Sequence, residues 1–476
     1  MSPLIPTLLL ASLTGLLAAQ DDLDPYGEPS TRSDALAFDL DAALRFALEN
    51  NFAIARAREA IEEQHGLFIR ARAEGRPEVN LIGSYSRVAA NRLEEFGPGN
   101  LGAQNNWAIN VEVRQTLYAG GRIQSTIESQ KLLQEAALLE WRSIVHNELL
   151  RVRESFFEVQ VSQARIAVEE EALKLLEEQL RDVQQRFDVG RAPRFDLLRA
   201  RVAVANQKPA LIRARNDMRV ALVELREAVG LQTGRDGLRA AEKPLRILGE
   251  MTYQAGNFTL EEALRTARNQ RIELDFLETV EGSQTENLKS QQAAFLPEVD
   301  LVAGYGVEQS SFAESLGDTI RGWTVGANVT WSIWAGGARD GRILEARSQL
   351  NQARLNTQEQ RLIIDVEVRR AFSDWQEAEE LVLASRQVVE EADEALRLAE
   401  ARQRAGSATQ LDLLEARVEL TEARTNEVEA LFSHNVALAQ LLRAMGIADP
   451  FVAQPEVSFR VTPEETSSDE TGLATP

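Results

Sequence analysis

The sequence predicts a mainly α chain with a membrane β-barrel contribution, built from a helix–strand–strand–long helix–helix unit that occurs twice. Three observations predict it. The chain repeats itself, two long runs have heptad-like apolar spacing, and four short segments alternate between apolar and polar residues.

The repeat comes first because it frames everything else. Phe38, Leu40, Ala43, Leu44, Arg45 and Ala47 return 220 positions later as Phe258, Leu260, Ala263, Leu264, Arg265 and Ala267. The same shift carries Pro77-Glu78-Val79 onto Pro297-Glu298-Val299 and Tyr85 onto Tyr305. Beyond Tyr118 the shift becomes 216. It maps Tyr118-Ala119-Gly120-Gly121 onto Trp334-Ala335-Gly336-Gly337, Gly190 onto Gly406, Asp196 onto Asp412 and Gly230 onto Gly446. Only one loop therefore changes length.

The first repeat spans 38–230, with strands at about 79–88 and 107–118, a long helix at 122–189 and a return helix at 193–229. The second spans 258–446, with strands at about 299–309 and 323–334, a long helix at 338–405 and a return helix at 410–445. Residues 231–257, with Gly234, Gly237, Pro244 and Gly256, read as a linker. Residues 464–476 are acidic and Ser/Thr-rich and read as a disordered tail.

The long helices follow from what is missing and what recurs. Residues 122–189 contain no proline and no glycine. Leu138, Trp141, Val145, Leu149, Val152, Phe156 and Val159 step by three and four, which makes one apolar seam. Such a helix is about 100 Å long at ~1.5 Å per residue. Gly190 and Gly406 end the two long helices, and Pro193 suits a helix start. Pro209 predicts a kink in the first return helix.

The strands change period. Trp107, Ile109, Val111 and Val113 alternate with polar or small neighbours, as do Trp323, Val325, Ala327, Val329, Trp331 and Ile333. Val79, Leu81 and Tyr85, and Val299, Leu301 and Tyr305, repeat the pattern; Ile82 and Val302 break it. Segments of this kind suit tilted transmembrane strands of ~9–11 residues, with terminal aromatics at the membrane interfaces. Open strand edges are not viable in lipid. Four strands cannot close alone, so copies must combine. Two copies would give a barrel filled by its own side chains, and three would leave a lumen. A soluble sheet packed on the helices is the alternative.

Composition narrows the function classes. The net charge of −22 opposes nucleic acid, which needs concentrated positive charge, and opposes peripheral binding to anionic membranes. The absence of cysteine excludes disulfides, thiolate metal sites, thiol catalysis and a lipid-modified N-terminal Cys. An apolar run from Leu4 to Leu17 before Ala18 and Ala19 makes residues 1–20 a candidate signal peptide, although it lacks a positive leading segment. No later apolar stretch reaches the length of a membrane helix. His65, His146 and His434 are scattered and form no ligand motif. Gly120-Gly121 and Gly336-Gly337 lack the Lys-Ser/Thr of a phosphate loop and read as strand-to-helix swivels. No catalytic, cofactor or metal site is expected.

Taken together, several features resemble the TolC-like outer-membrane efflux family (the outer membrane factors) over residues 38–449. They are the Leu-x-x-Ala-Leu opening of each half and the prolines Pro77 and Pro297 before a strand. They include the aromatic-Ala-Gly-Gly turn, and the tip glycines Gly190 and Gly406 with Asp196 and Asp412 six residues on. The resemblance implies a homotrimer with a 12-stranded barrel and a long α-helical periplasmic tunnel. It implies an exit duct in a tripartite efflux or type I secretion system. Its partners would be a periplasmic adaptor, an inner-membrane transporter and outer-membrane lipid. No enzymatic activity is implied.

The resemblance also suggests sites. Asp412 and Glu415 match an acidic ring that narrows the periplasmic end, and rings of carboxylates select cations. Read without it, they are ordinary solvated helix acids. The tips Gly190-Arg191-Ala192-Pro193 and Gly406-Ser407-Ala408-Thr409 would meet the adaptor. Some relatives close the tip with a tyrosine and an arginine; Gln403 and Ala408 stand there, so that lock is not carried over. The competing function is a soluble periplasmic coiled-coil scaffold.

Overall fold

The computed structural model describes residues 36–89, 94–96, 99–101, 105–231, 245–309, 319–447 and 449. The signal-peptide and tail segments, 1–20 and 464–476, lie outside the described residues, as do residues 232–244 of the 231–257 linker.

The first repeat opens with β1 (Leu36–Phe38), α1 (Leu40–Asn50) and α2 (Phe52–Ala73). The opening helix is thus two helices, not one. Asn51 breaks it: its backbone is extended and its side chain accepts from Ala53 and Ile54 N–H, which caps α2. Then come β2 (Glu78–Arg87), the short pair β3 (Glu94–Phe96) and β4 (Gly99–Leu101), and β5 (Asn105–Tyr118). The long helix α3 (Arg122–Asp188) and its return α4 (Arg194–Ala228) follow. α4 remains one assigned helix through Pro209.

The second repeat has α5 (Leu260–Gln270), α6 (Ile272–Gln292), β7 (Glu298–Gln309), β8 (Thr319–Thr330), α7 (Ala338–Arg404) and α8 (Gln410–Ala444), with β6 (Leu245–Ile247) preceding it. The last strand sits four residues earlier than the expected 323–334. Trp331 to Ile333 leave the ladder because other partners take their polar groups. Trp331 Nε1 donates to Phe295 O at 3.1 Å, and Arg339 donates to Ser332 O and Ile333 O at 2.6 and 2.9 Å. The linker is also more than a linker. Its residues Leu245–Ile247 pair in parallel with Leu36–Phe38, which ties the chain's midpoint to its start.

Four strands form one antiparallel sheet in the order β2-β5-β7-β8, so each repeat supplies half. The register puts Val79 opposite Val113, Leu81 opposite Val111, Tyr85 opposite Trp107, Val111 opposite Tyr305, and Tyr305 opposite Trp323. Facing residues share a sheet face, so these apolar side chains line one side. Ile82 faces Asn110 and Val302 faces Arg114, on the polar side. Asp300 anchors that polar side near the sheet's lower end: it accepts from Arg114 at 3.0 Å and from the Thr116 hydroxyl at 2.7 Å.

The helices form a matching row. α3 packs between α2 and α6 at its strand end and between α4 and α8 at its far end; α7 flanks α6 and α8. The predicted seam is the core. Trp141, Val145, Leu149, Val152, Phe156 and Val159 are buried against Leu44 of α1, Ile54 and Ile61 of α2, and Leu225 of α4. A smaller core in the second repeat joins Ile364, Val368 and Trp375 to Ala263, Ala267 and Leu441. Fully burying a side chain such as Leu149 or Ile364 stabilises by ~1.5–3 kcal/mol, so these seams decide the helix pairing.

Candidate functional site

Both hairpin tips lie at one end of the helical row. Arg417, in the second turn of α8 beyond the tip, donates to Leu175 O and Gln179 Oε1 of α3 at 2.8 and 3.0 Å. A small cleft there is lined by Leu176, Gln179, Ala200 and Ala203 from the first hairpin, and Gln410 and Leu414 from the second. The two turns are built alike. Arg191 N–H donates to Arg186 O and Ser407 N–H to Arg402 O, while Gly190 and Gly406 adopt φ of 73° and 76°. These are helix C-caps in which the last carbonyls find donors, and the left-handed residue is glycine because a Cβ would be strained there. Arg191, Pro193, Ser407 and Thr409 are exposed, and Ala192 and Ala408 are half-buried.

The two tips differ at the start of the return helix. Pro193 begins α4 with no side-chain cap. Thr409 and Asp412 form a reciprocal capping box on α8, with Thr409 N–H donating to Asp412 Oδ2 at 2.8 Å and Asp412 N–H donating to Thr409 Oγ1 at 3.3 Å. The Thr409 backbone N–H, then its hydroxyl, holds the Asp412 carboxyl below the usual range. Asp412 and Glu415 are both exposed, away from the buried Leu413, Ala416 and Leu420. Asp412 is thus at once a helix cap and an exposed charge. In the first hairpin Asp196 is half-buried, and Arg199 lies over the Phe195 ring at 5.4 Å.

Sequence reasoning missed the side chains that join the hairpins. Arg417 also reaches Glu400 of α7 at 3.5 Å; Arg424 pairs with Glu171 at 2.6 Å and Arg165 with Glu429 at 3.3 Å. The last two pairs, with Arg417 on Leu175 and Gln179, bridge α3 to α8 at successive levels. The seven-residue spacing of Arg417 and Arg424 was the available signal. Their partners depend on how α8 slides along α3, which spacing alone does not give.

At the other end of the long helices sit the glycine pairs. Gly121 and Gly337 cap α3 and α7 with φ of 88° and 86°. Gly120 also touches a neighbour: a Cβ there would lie 2.7 Å from Leu296 Cβ. Each pair redirects the chain from strand to helix within two residues.

The apolar side of the sheet is exposed on the single chain. Leu81, Tyr85, Trp323, Val325 and Val329 are all more than 60% exposed, and Trp334 beyond β8 is 85% exposed. Contiguous apolar surface of this extent needs an apolar surround. Among the described residues no helix is long and apolar enough to cross a membrane. The sheet ends in unpaired edges at β2 and β8. The flanking helices carry exposed apolar rows too, Leu344, Leu355, Leu362 and Val366 on α7 and Phe195, Val202, Ile212 and Val223 on α4.

Comparison with known proteins agrees with this architecture. A family profile described as "Outer membrane efflux protein" matches residues 43–231 and 250–447. The chain is 24% identical over 424 residues to the outer membrane efflux protein BepC of Brucella suis, covering 88% of each. It is 21% identical over 375 residues to the outer membrane protein TolC of Vibrio cholerae, covering 78% of this chain and 82% of that one. The crystal structure of the Campylobacter jejuni CmeC outer membrane channel superposes with a TM-score of 0.73 at 18% identity, covering 86% of this chain and 85% of the other.

Proposed function

Since the chain belongs to the outer membrane efflux protein family, we propose that three copies close edge to edge into one duct. The chain is the outer-membrane exit duct of a tripartite efflux system, with a helical extension into the periplasm. A protein of this family conducts and does not catalyse. The observation that carries the trimer is the double row with unfinished edges: β2 and β8 in the sheet, and α4 and α7 in the helices. Pairing β8 of one copy with β2 of the next removes every open edge, which lipid demands. The same rotation sets the apolar row of α7 against α4 of the neighbour. Two copies of four strands would give eight, a barrel plugged by its own side chains; three give twelve and a lumen. Export needs the lumen.

The periplasmic end is the adaptor-facing end in this reading. The tips Gly190 to Pro193 and Gly406 to Thr409 are exposed and share one level, which supports docking there. Asp412 and Glu415 of three copies would place six carboxylates at the narrow end. An inner-membrane transporter feeds the duct through the adaptor. Native mass measurement in detergent tests the assembly: three chains are expected, and a stable monomer that needs no detergent overturns it, restoring the soluble scaffold reading.

A further inference from the structure

Between the two repeats, residues 249–259 carry no helix or strand, yet they are fastened to three tunnel helices in turn. Gly249 O accepts from the buried Gln160 Nε2 of α3 at 3.0 Å. Tyr253 lies against His434 of α8 with ring centroids 4.9 Å apart, and its hydroxyl donates to Glu379 of α7 at 2.9 Å. Arg386 of α7 sits over the Tyr253 ring at 5.1 Å. Phe258 meets Trp375 of α7 edge to face at 5.4 Å.

His434 is the odd member. It is fully buried, and neither ring nitrogen has a hydrogen-bond partner among the described residues. At the matching position of the first repeat stands Met218. An apolar site has therefore received a titratable ring in one repeat only. Burial holds this imidazole below its ordinary value, against a smaller opposing pull from Glu379.

We propose that residues 249–259 are a belt across α3, α8 and α7, and that proton uptake by His434 unfastens it. The charged and titratable groups around the ring make the case. From the belt, Tyr253 covers it. From α7, Glu379 raises its proton affinity. Glu379 is engaged by the Tyr253 hydroxyl, and Arg386 is shared between the Tyr253 ring and Glu427 of α8 at 4.0 Å. From α3, Glu154 and Arg165 stand at this level of α8 but are engaged by Gln440 and Glu429. A neutral imidazole tolerates this site; an imidazolium must find water or a carboxylate. Both become reachable when Tyr253 swings away, because that opens the ring to solvent and frees Glu379 to pair with it. Protonation thus exchanges the partner of Glu379 from Tyr253 to His434.

The sign follows from linkage. The released ring titrates near the ordinary value of about 6.5, and the docked ring lower. Docking is unaffected by pH above about 6.5 and weakens by up to tenfold per pH unit below it, until the docked ring itself protonates.

The test uses the full chain in detergent micelles. Hydrogen exchange by mass spectrometry reads the opening of residues 249–259 at about pH 7.5 and about pH 5.5, corrected for intrinsic exchange chemistry. Opening should rise roughly tenfold in the wild-type protein and stay level in His434→Met. In parallel, slow exchange at the imidazole C2 position titrates His434 in the wild-type protein, with no variant needed. Its midpoint should coincide with the pH at which the belt opens. Equal protection of the wild-type belt at both pH values overturns the proposal. So does an equal response in His434→Met, or a His434 midpoint more than about one pH unit from belt opening. If His434→Met fails to assemble, the coincidence of the two wild-type midpoints decides alone.

Discussion

Asn51 and Arg271 occupy the same point of the two repeats and tie the same joint with different chemistry. Asn51 Nδ2 donates to Ala228 O at 2.9 Å, fastening the start of α2 to the end of α4. Arg271 Nη1 donates to Ala444 O at 3.1 Å, fastening the start of α6 to the end of α8. Two stacked helices thereby act as one long one. The first joint adds only Glu148 at 2.8 Å from the same amide; the second gathers Glu273, Glu367 and, through Glu273, Arg443.

The joints should therefore fail differently. Asn51→Ala removes a helix cap and one carbonyl partner, at a cost of about 1–3 kcal/mol. Arg271→Ala leaves Glu273 with Arg443 alone, the half-exposed Glu367 without its arginine and Ala444 O without its donor, at about 2–4 kcal/mol. Arg271→Lys should not rescue it, because one ammonium cannot reproduce the fork. Denaturant titration followed by helical circular dichroism reads all three.

The second joint should also be acid-sensitive. Burial pushes the Glu273 carboxyl up, but Arg443 and Arg271 outweigh it and hold it down at about 2. A depressed carboxyl contributes stability above its ordinary value of 4.5 that is lost as pH falls towards about 2. That slice is roughly 3 kcal/mol at most. Glu273→Gln should be less stable than wild type at neutral pH, and the gap should close between about pH 4.5 and 2.

Two glycines with the same backbone offer a matched comparison. Gly230 and Gly190 both have φ of 73°. A Cβ on Gly230 would lie 2.3 Å from Asn50 O, whereas one on Gly190 would meet nothing within 4 Å. Gly190→Ala should cost the left-handed penalty alone, roughly 1–2 kcal/mol. Gly230→Ala adds a collision with backbone at the Asn51 joint and should cost roughly 2–5 kcal/mol in all. Yields of folded oligomer and thermal scans separate the two.

At the periplasmic end, Asp412→Ala with Glu415→Ala should weaken cation selectivity in planar bilayers and block by trivalent cations. Glu415→Ala alone separates charge from folding, because Asp412 also caps α8 and Glu415 does not. Asp196→Ala should matter less. Unchanged reversal potentials in the double variant would make these acids ordinary surface charges.

Bulky residues at Ala192 and Ala408 should stop export while native mass still shows the wild-type oligomer. Both positions are half-buried within exposed tips, so neither is a core position. Normal export with both changed would move the adaptor contact elsewhere.

The helices and strands were legible because each is announced locally. The seam of Val145, Leu149 and Phe156 and the alternation from Trp107 to Val113 need only one segment to be read. What stayed hidden depends on pairs far apart. The split at Asn51 was concealed because its cap competes with an uninterrupted apolar pattern. The parallel pairing of Leu36–Phe38 with Leu245–Ile247 joins two segments too short to signal strands. The bridges of Arg417 and Arg424 and the burial of His434 depend on the axial alignment of α8 with its neighbours. At the tip, Thr409-x-x-Asp412 is a capping box readable from one segment alone.

The sheet joins its two halves through β5 and β7, and Arg114 reaches Asp300 across 186 residues of chain. Between them run both arms of the first helical hairpin and the whole midpoint of the molecule. Bringing such distant partners together as a free coil carries a loop-closure entropy that grows with the logarithm of the span. A hairpin of α3 and α4 already folded brings the chain back to the middle of α3, where Glu227 pairs with Arg151, and α6 packed along α3 carries it on to the sheet. Contact order predicts that the local helical contacts form before the strands meet, so that the surface lipid must cover is expected to be assembled last.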